Sequence, residues 1–255
     1  MSQTSAQRKL TRGIEQFQTL CGEAEAFRGD KAYVFRHERE LRSAHELAIH
    51  SFAIERKAPP QHWPLLAGES LNNMRSALDH AACAITPPKS NRQYPIFTDP
   101  CEFQVLGLKK LPGVPVAVRA AIEDTQPYRR LPQAPAKDAL EILRTLSNID
   151  KHRTLTAIAC AITSASGYTA EDVTLRWEKA PTNFQLGHEE AEVSVLVATC
   201  ERDMSGMDME PHLSYQVRIE GRPLGFFPIV ARRVFEAIGI CENAGTPPPF
   251  SAYPL

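Results

Sequence analysis

Residues 69–80 read Glu69-Ser70-Leu71-Asn72-Asn73-Met74-Arg75-Ser76-Ala77-Leu78-Asp79-His80, and the fold is decided by how this stretch is read. At about 100° per residue, Leu71, Met74 and Leu78, followed by Ala81 and Ile85, fall on one side of a helix. Glu69, Asn72, Asn73, Ser76, Asp79 and His80 share the other side, with Arg75 about 240° round from Glu69. An apolar stripe opposite a polar one predicts an amphipathic helix. The polar side contains no Lys. It uses short Asn, Ser and Asp side chains, which are weak helix formers. That composition suits a polar network as well as a wetted surface. Arg75 and Asp79 stand four apart, the spacing of an ion pair along a helix.

The helix is bounded by its neighbours in sequence. Trp63-Pro64 opens it, with Pro near a first-turn position where its missing N–H costs nothing. Thr86-Pro87-Pro88 stops it after Ile85. Upstream, Leu10, Ile14, Phe17, Leu20 and Cys21 predict a first helix over 5–28. Residues 31–37 and 47–56 read as extended and could pair as a hairpin. Downstream come a short apolar element at Tyr94-Pro95-Ile96-Phe97, a brief helix from Asp99-Pro100 through Leu106, and a short helix over 114–124. Asp138 reads as the start of a long helix reaching about Ile162. Period-two alternation over 172–178, 192–199 and 213–219 predicts strands, and Ile229, Val230, Val234, Phe235 and Ile238 mark a final helix over 228–241.

These elements predict an α+β fold in which a helical layer packs on an antiparallel sheet. The 255 residues suit a single α+β domain over 1–255. Its natural subdivision is a mainly helical part with an early hairpin over 1–165, then strands and a last helix over 166–255. The early hairpin could join the later strands.

Composition narrows the function classes. A net charge of −1 gives no global field to draw in nucleic acid or an anionic membrane. No apolar run approaches the ~20 residues of a spanning helix, and the N-terminus lacks the apolar core of a signal peptide. A cytoplasmic protein without membrane contact is therefore expected. The six cysteines are scattered, with no C-x-x-C pair, which argues for reduced thiols over a zinc site.

A second polar cluster, Asn148-Ile149-Asp150-Lys151-His152-Arg153, interrupts the apolar periodicity of Leu140, Leu143 and Leu146. A kink there would aim polar side chains inward as a second wall of the same site. Lys151 and Arg153 would supply cations, and Asp150 could orient a histidine.

Arg75-x-x-x-x-His80 resembles the R-x4–6-H motif of HEPN-type ribonucleases. In that superfamily two helical protomers bring Arg and His together on one phosphodiester. The resemblance implies a HEPN-like helix pair, a homodimer, RNA as partner, and metal-independent cleavage through the neighbouring 2′-hydroxyl. Arg75 would hold and neutralise phosphate, and His80 would be general acid or base. Asp79 completes the catalytic candidates. Asn73, Ser76, Lys151, His152 and Arg153 would bind substrate, and Glu69, Asn72, Asn148 and Asp150 would support them. Ser76 departs from the Asn, Asp or His that often follows the Arg, and the minimal HEPN bundle has no place for the β-rich second half.

Four motifs in order also resemble a group of bacterial proteins with no assigned activity. These are Asn72 through His80, Tyr94-Pro95-Ile96-Phe97, Gln126-Pro127-Tyr128 and Asn148 through Arg153. Asn72 stands where that group has His. Two further readings stay open. Glu69, Asp79, His80, Asp150 and His152 could hold iron or manganese between facing helices, although Asp79 and His80 diverge by about 100°. Alternatively, the polar clusters hold together a non-enzymatic ligand-binding or interaction protein.

Overall fold

The computed structural model describes residues 3–29, 33–41, 48–56, 59–88, 92–163, 173–179, 184–185, 193–200 and 213–243. Among them, seven α-helices and antiparallel sheets give an α+β chain in which helix predominates. The helices are α1 (Ser5–Gly29), α2 (Trp63–Ile85), α3 (Pro100–Glu102), α4 (Val116–Asp124), α5 (Pro127–Arg130), α6 (Ala139–His152) and α7 (Phe226–Glu242). The strands are β1 (Tyr33–Leu41), β2 (Ala48–Arg56), β3 (Ala157–Thr163), β4 (Val173–Lys179), β5 (Phe184–Gln185), β6 (Val193–Cys200), β7 (Leu213–Ile219) and β8 (Arg222–Pro223).

Contacts divide the chain into two compact units, each assembled from separated segments. One takes residues 1–21, 64–155 and 224–255; the other takes 22–63 and 156–223. The division does not fall at 165/166. The early hairpin groups with the later strands, and the last helix groups with the earlier helices.

The second unit holds two four-stranded sheets, ordered β1-β2-β6-β4 and β5-β3-β7-β8. All strand pairs are antiparallel, and β2 pairs with β6 from Ala48↔Cys200 to Glu55↔Val193. A tight turn joins β7 to β8 with Glu220 and Gly221 both at positive φ, 47° and 74°. That backbone twist matches the twist of the flanking strands. Glu220 also caps the start of β3, donating from its N–H to Thr156 O at 2.9 Å and accepting from Thr156 N through Oε1 at 2.7 Å.

The predicted long helix over 138–162 is corrected. It begins as expected, with the Asp138 carboxylate accepting from Leu140 N at 2.9 Å, but it ends at His152. Arg153 is extended, with φ −158° and ψ 152°, and β3 begins at Ala157. The Ala-rich run 157–162 has high helix propensity, but its backbone pairs with β7 from Ala157↔Ile219 to Thr163↔Leu213. Long-range pairing overrides a local preference worth only tenths of a kcal/mol per residue.

In the first unit, α1 and α2 run antiparallel. Ser5 meets His80, Lys9 meets Asn73, and Ser70 Oγ donates to Gly13 O at 2.7 Å. Leu71, Met74, Ala77, Leu78, Ala81 and Ala82 of α2 are all buried. From α7, Phe227 stacks on Phe17 at 4.7 Å, and Val230, Val234 and Ile238 join the core. The short helix expected through Leu106 is α3 followed by a wide turn over Phe103–Gly107 and a tighter one over Leu108–Lys110. No helix among the described residues is long and apolar enough to cross a membrane.

The crossing of α1 and α2 depends on Gly13. A Cβ there would lie 2.9 Å from Ser70 O and 3.0 Å from Met74 Cγ. In a helix interior Ala gains about 1 kcal/mol over Gly, and overpacking costs about 1–3 kcal/mol. Because the closest atom is backbone, the clash wins. Gly13→Ala is expected to lower stability by about 1–2 kcal/mol, read as a lower urea midpoint of the helical circular dichroism signal. An unchanged or higher midpoint would show that the helices separate without cost.

Candidate functional site

The polar side of α2 is half-buried, with Glu69 exposed at its start. It forms a seam against three neighbours in the same unit. Toward α1, Glu69 Oε2 accepts from Gln16 Nε2 at 2.5 Å, and Asn73 Nδ2 donates to Gln16 Oε1 at 2.8 Å. Asn73 Oδ1 accepts from Lys9 Nζ at 3.2 Å, and His80 Nδ1 lies 2.6 Å from Ser5 Oγ.

Toward the chain at 92–97, Arg75 and Asp79 act as one unit. Arg75 Nη2 donates to Asp79 Oδ1 and to the carbonyl of Tyr94, both at 2.9 Å. Asp79 Oδ1 also accepts from the N–H of Tyr94 at 2.9 Å. The pair therefore satisfies both backbone polar groups of a residue that has no helix or strand to do so. Gln126 continues the pattern: its Oε1 accepts from Phe97 N at 3.0 Å and its Nε2 donates to Pro95 O at 3.0 Å. Tyr94 is itself buried, its hydroxyl 2.7 Å from Thr125 Oγ1. Burial drives its pKa above the ordinary value, with Cys241 adding to the rise.

Arg75 is more enclosed than its ion-pair partner. Its side chain is 12% exposed against 28% for Asp79. Burial lowers its pKa, Asp79 works against that, and Arg144 adds repulsion. Desolvation, and then repulsion by Arg75, lowers the pKa of Lys110, which reaches Gln93 Oε1 at 3.3 Å and lies over the Phe97 ring. Nη1 of Arg75 is buried and has no hydrogen-bond partner.

Toward α6, Asn72 Nδ2 donates to Asp150 Oδ2 at 2.6 Å. The Asp150 carboxylate lies against Gly68, where a Cβ would collide with both its oxygens. A glycine inside a helix sacrifices stability unless something must approach closely, and here the approaching group is Asp150. The two clusters do meet, but through this one pair.

The rest of the second cluster points outward, which corrects the expectation of an inward kink. Asn148, Lys151, His152 and Arg153 are exposed, because α6 simply ends here. Arg144, Thr145, Asn148, Ile149, His152 and Arg153 line an open groove of about 460 Å³ on the outer face of α6. Arg144 is held by Glu141, with Nε and Nη2 at 2.7 and 2.6 Å from its two oxygens. That pairing raises the Arg144 pKa, while partial burial opposes it.

The candidate residues thus fall into separate places. Arg75 and Asp79 are together; Asn72 and Asp150 are together; Asn148, His152 and Arg153 share the groove. His80 lies about 140° around α2 from Arg75 and is turned to α1, and Ser76 is half-buried between them. The set Glu69, Asp79, His80, Asp150 and His152 is not assembled: among the described residues no three His, Cys, Asp or Glu side chains come together to hold a metal ion. Neither a protein-family model, nor a curated protein, nor a solved structure matches the chain.

Residues that the polar pattern alone does not single out complete these contacts. Gln16 and Gly68 serve the seam, and Arg144 and Thr145 serve the groove. Arg144 lies one helical turn before Asn148, so i,i+4 spacing on α6 was its available signal.

The fit at Gly68 gives a direct test. Gly68→Ala is expected to turn the Asp150 carboxylate away from α2 and break its bond with Asn72, a loss offset in part by about 1 kcal/mol of helix propensity, and in the Asp150→Ala background that loss is expected to disappear. A thermal-unfolding double-mutant cycle should show a coupling of about 1–3 kcal/mol. Additive losses would mean that Asp150 does not press on α2 there.

Proposed function

We propose that this protein is a non-enzymatic ligand-binding or interaction protein. In this reading the polar seam of α2 is architecture, and ligand contact falls to the open groove on α6. One observation carries it. The Nη2 arm of Arg75 is committed within the protein, bound to Asp79 and the Tyr94 carbonyl, and the Nη1 arm is enclosed, on a side chain only 12% exposed. Phosphate recognition by arginine uses a free fork of N–H groups. Arg75 presents no such fork at the surface, since Nη2 is engaged and Nη1 is buried.

Metal-independent RNA cleavage is the enzymatic alternative, with Arg75 and His80 as its pair. It requires a general acid or base within hydrogen-bond reach of the reacting oxygen. With the two side chains about 140° apart on one helix, a second copy of the chain would have to complete the site. A homodimer, and RNA as partner, belong to that alternative. Iron or manganese chemistry is the third reading, and it would require the separated acids and histidines to regroup.

Purified full-length protein, incubated with single-stranded and structured RNA in the presence of a chelator, is expected to leave both intact. Asp79→Ala is expected to lose about 2–3 kcal/mol of stability, since the Tyr94 N–H and a largely enclosed guanidinium lose their acceptor. RNA cleavage by the parent that disappears in a folded His80→Ala variant would sink the non-enzymatic reading. A stoichiometric iron or manganese ion found by elemental analysis would sink it in favour of the metal reading.

A further inference from the structure

We infer that the groove on the outer face of α6 binds a small phosphate-bearing molecule of about nucleotide size, held by Arg144, Asn148, His152 and Arg153. The inference rests on the ligand-binding reading above and gives its ligand a chemical class.

Helical spacing builds the groove. Arg144, Asn148 and His152 recur every four residues and so stack along one face. Thr145 and Ile149 form the neighbouring strip, and Arg153, whose Nη1 donates to Thr154 O at 3.2 Å, closes the end just past the last turn. Its volume of about 460 Å³ gives room for a molecule of nucleotide size lying along an open surface groove. Among the described residues, none of the six that line it is acidic. Five of them carry hydrogen-bonding side chains, and Ile149 supplies one apolar contact.

Arg144 is set in place before any ligand arrives. Glu141 binds two of its nitrogens and is itself steadied by Thr145 Oγ1 at 3.1 Å. The third nitrogen, Nη1, lies outside that pairing. A guanidinium oriented in this way loses little freedom on binding, and its N–H groups suit the oxygens of a phosphate.

Charge balance favours a small ligand over a polymer. Arg144, Lys151 and Arg153 are positive. Glu141 and Asp150 are negative, and the C-terminal end of α6 adds about half a negative charge. The net field is weak, so attraction depends on directed hydrogen bonds within the groove. A polynucleotide would need a continuing basic track, because its affinity comes from many phosphates at once. Here Glu141 and Asp150 flank the basic residues on the same helix. Ile149 offers a surface for the apolar or aromatic body of a phosphomonoester.

The test is calorimetric titration of the full chain with inorganic phosphate, a nucleoside monophosphate and a short single-stranded RNA. Saturable one-to-one binding of the monophosphate is expected, roughly tenfold tighter than inorganic phosphate because of the contact with Ile149. Arg153→Gln and His152→Gln, each checked for an unchanged unfolding midpoint, should weaken it by about tenfold, the scale of one lost charge-assisted hydrogen bond. Arg144→Gln should do the same, but it also strips Glu141 of its partner, so the other two variants decide. Absence of saturable monophosphate binding overturns the proposal. So does affinity untouched by these substitutions, and so does RNA binding that is far tighter and grows with chain length. These outcomes are separate from RNA cleavage, which bears on the non-enzymatic reading itself.

Discussion

The helical unit depends on how the irregular chain at 92–97 is kept inside. Tyr94 is fully buried and Ile96 nearly so, yet no helix or strand takes up their peptide groups. A buried amide left without a partner costs about 1–3 kcal/mol. Arg75, Asp79 and Gln126 together supply acceptors for the N–H groups of Tyr94 and Phe97 and donors for the carbonyls of Tyr94 and Pro95. Enclosing a guanidinium and a carboxylate carries its own desolvation cost. Here that cost is moderated, because Asp79 keeps part of its surface in water and each charge makes more than one hydrogen bond.

The same logic explains why α2 carries short polar side chains. A solvated face would favour Lys, Glu and Gln, whose length costs nothing in water. Between packed elements the short Asn72, Asn73 and Asp79 fit beside the longer Glu69 and Arg75, and each of them meets a partner. Satisfied pairs of this kind add little net stability, whereas a slipped register would strand several of them at once. The seam therefore fixes register more than it adds energy. Gly13 and Gly68 belong to the same arrangement, since each lets another group come within van der Waals reach of α2.

Much of the fold was legible because it is written in local periodicity. The ends of α2 at Trp63 and Ile85 follow from Pro64 and from Thr86-Pro87-Pro88, and β7 spans the predicted 213–219. The 157–163 strand was not legible, since its alanines favour a helix and its identity comes from β7, some fifty-five residues away by register. For the site, the density of polar residues on α2 was a true signal, and the link between the clusters exists in Asn72 and Asp150. The use made of Arg75 and Asp79 was hidden for a physical reason. Their partner is the backbone of Tyr94, and a backbone group leaves no mark in a pattern of side chains.

A consequence follows for where chemistry can reside. Helix α6 shows two faces to the rest of the molecule. Asp150 turns toward α2 and is held against Gly68, while Arg144, Asn148 and His152 lie on the opposite strip and line open space. Residues that hold the unit together have little freedom to respond to a ligand, because any movement breaks several buried hydrogen bonds at once. On the outer strip Asn148 and His152 are exposed and Arg144 is held by Glu141 of its own helix, while Asn72 ties Asp150 to α2 behind them. A binding surface set on a helix that is pinned from behind is better ordered than one on a loop. The polar seam can thus bear on the groove without touching a ligand, through the Asn72–Asp150 bond that ties α6 to α2.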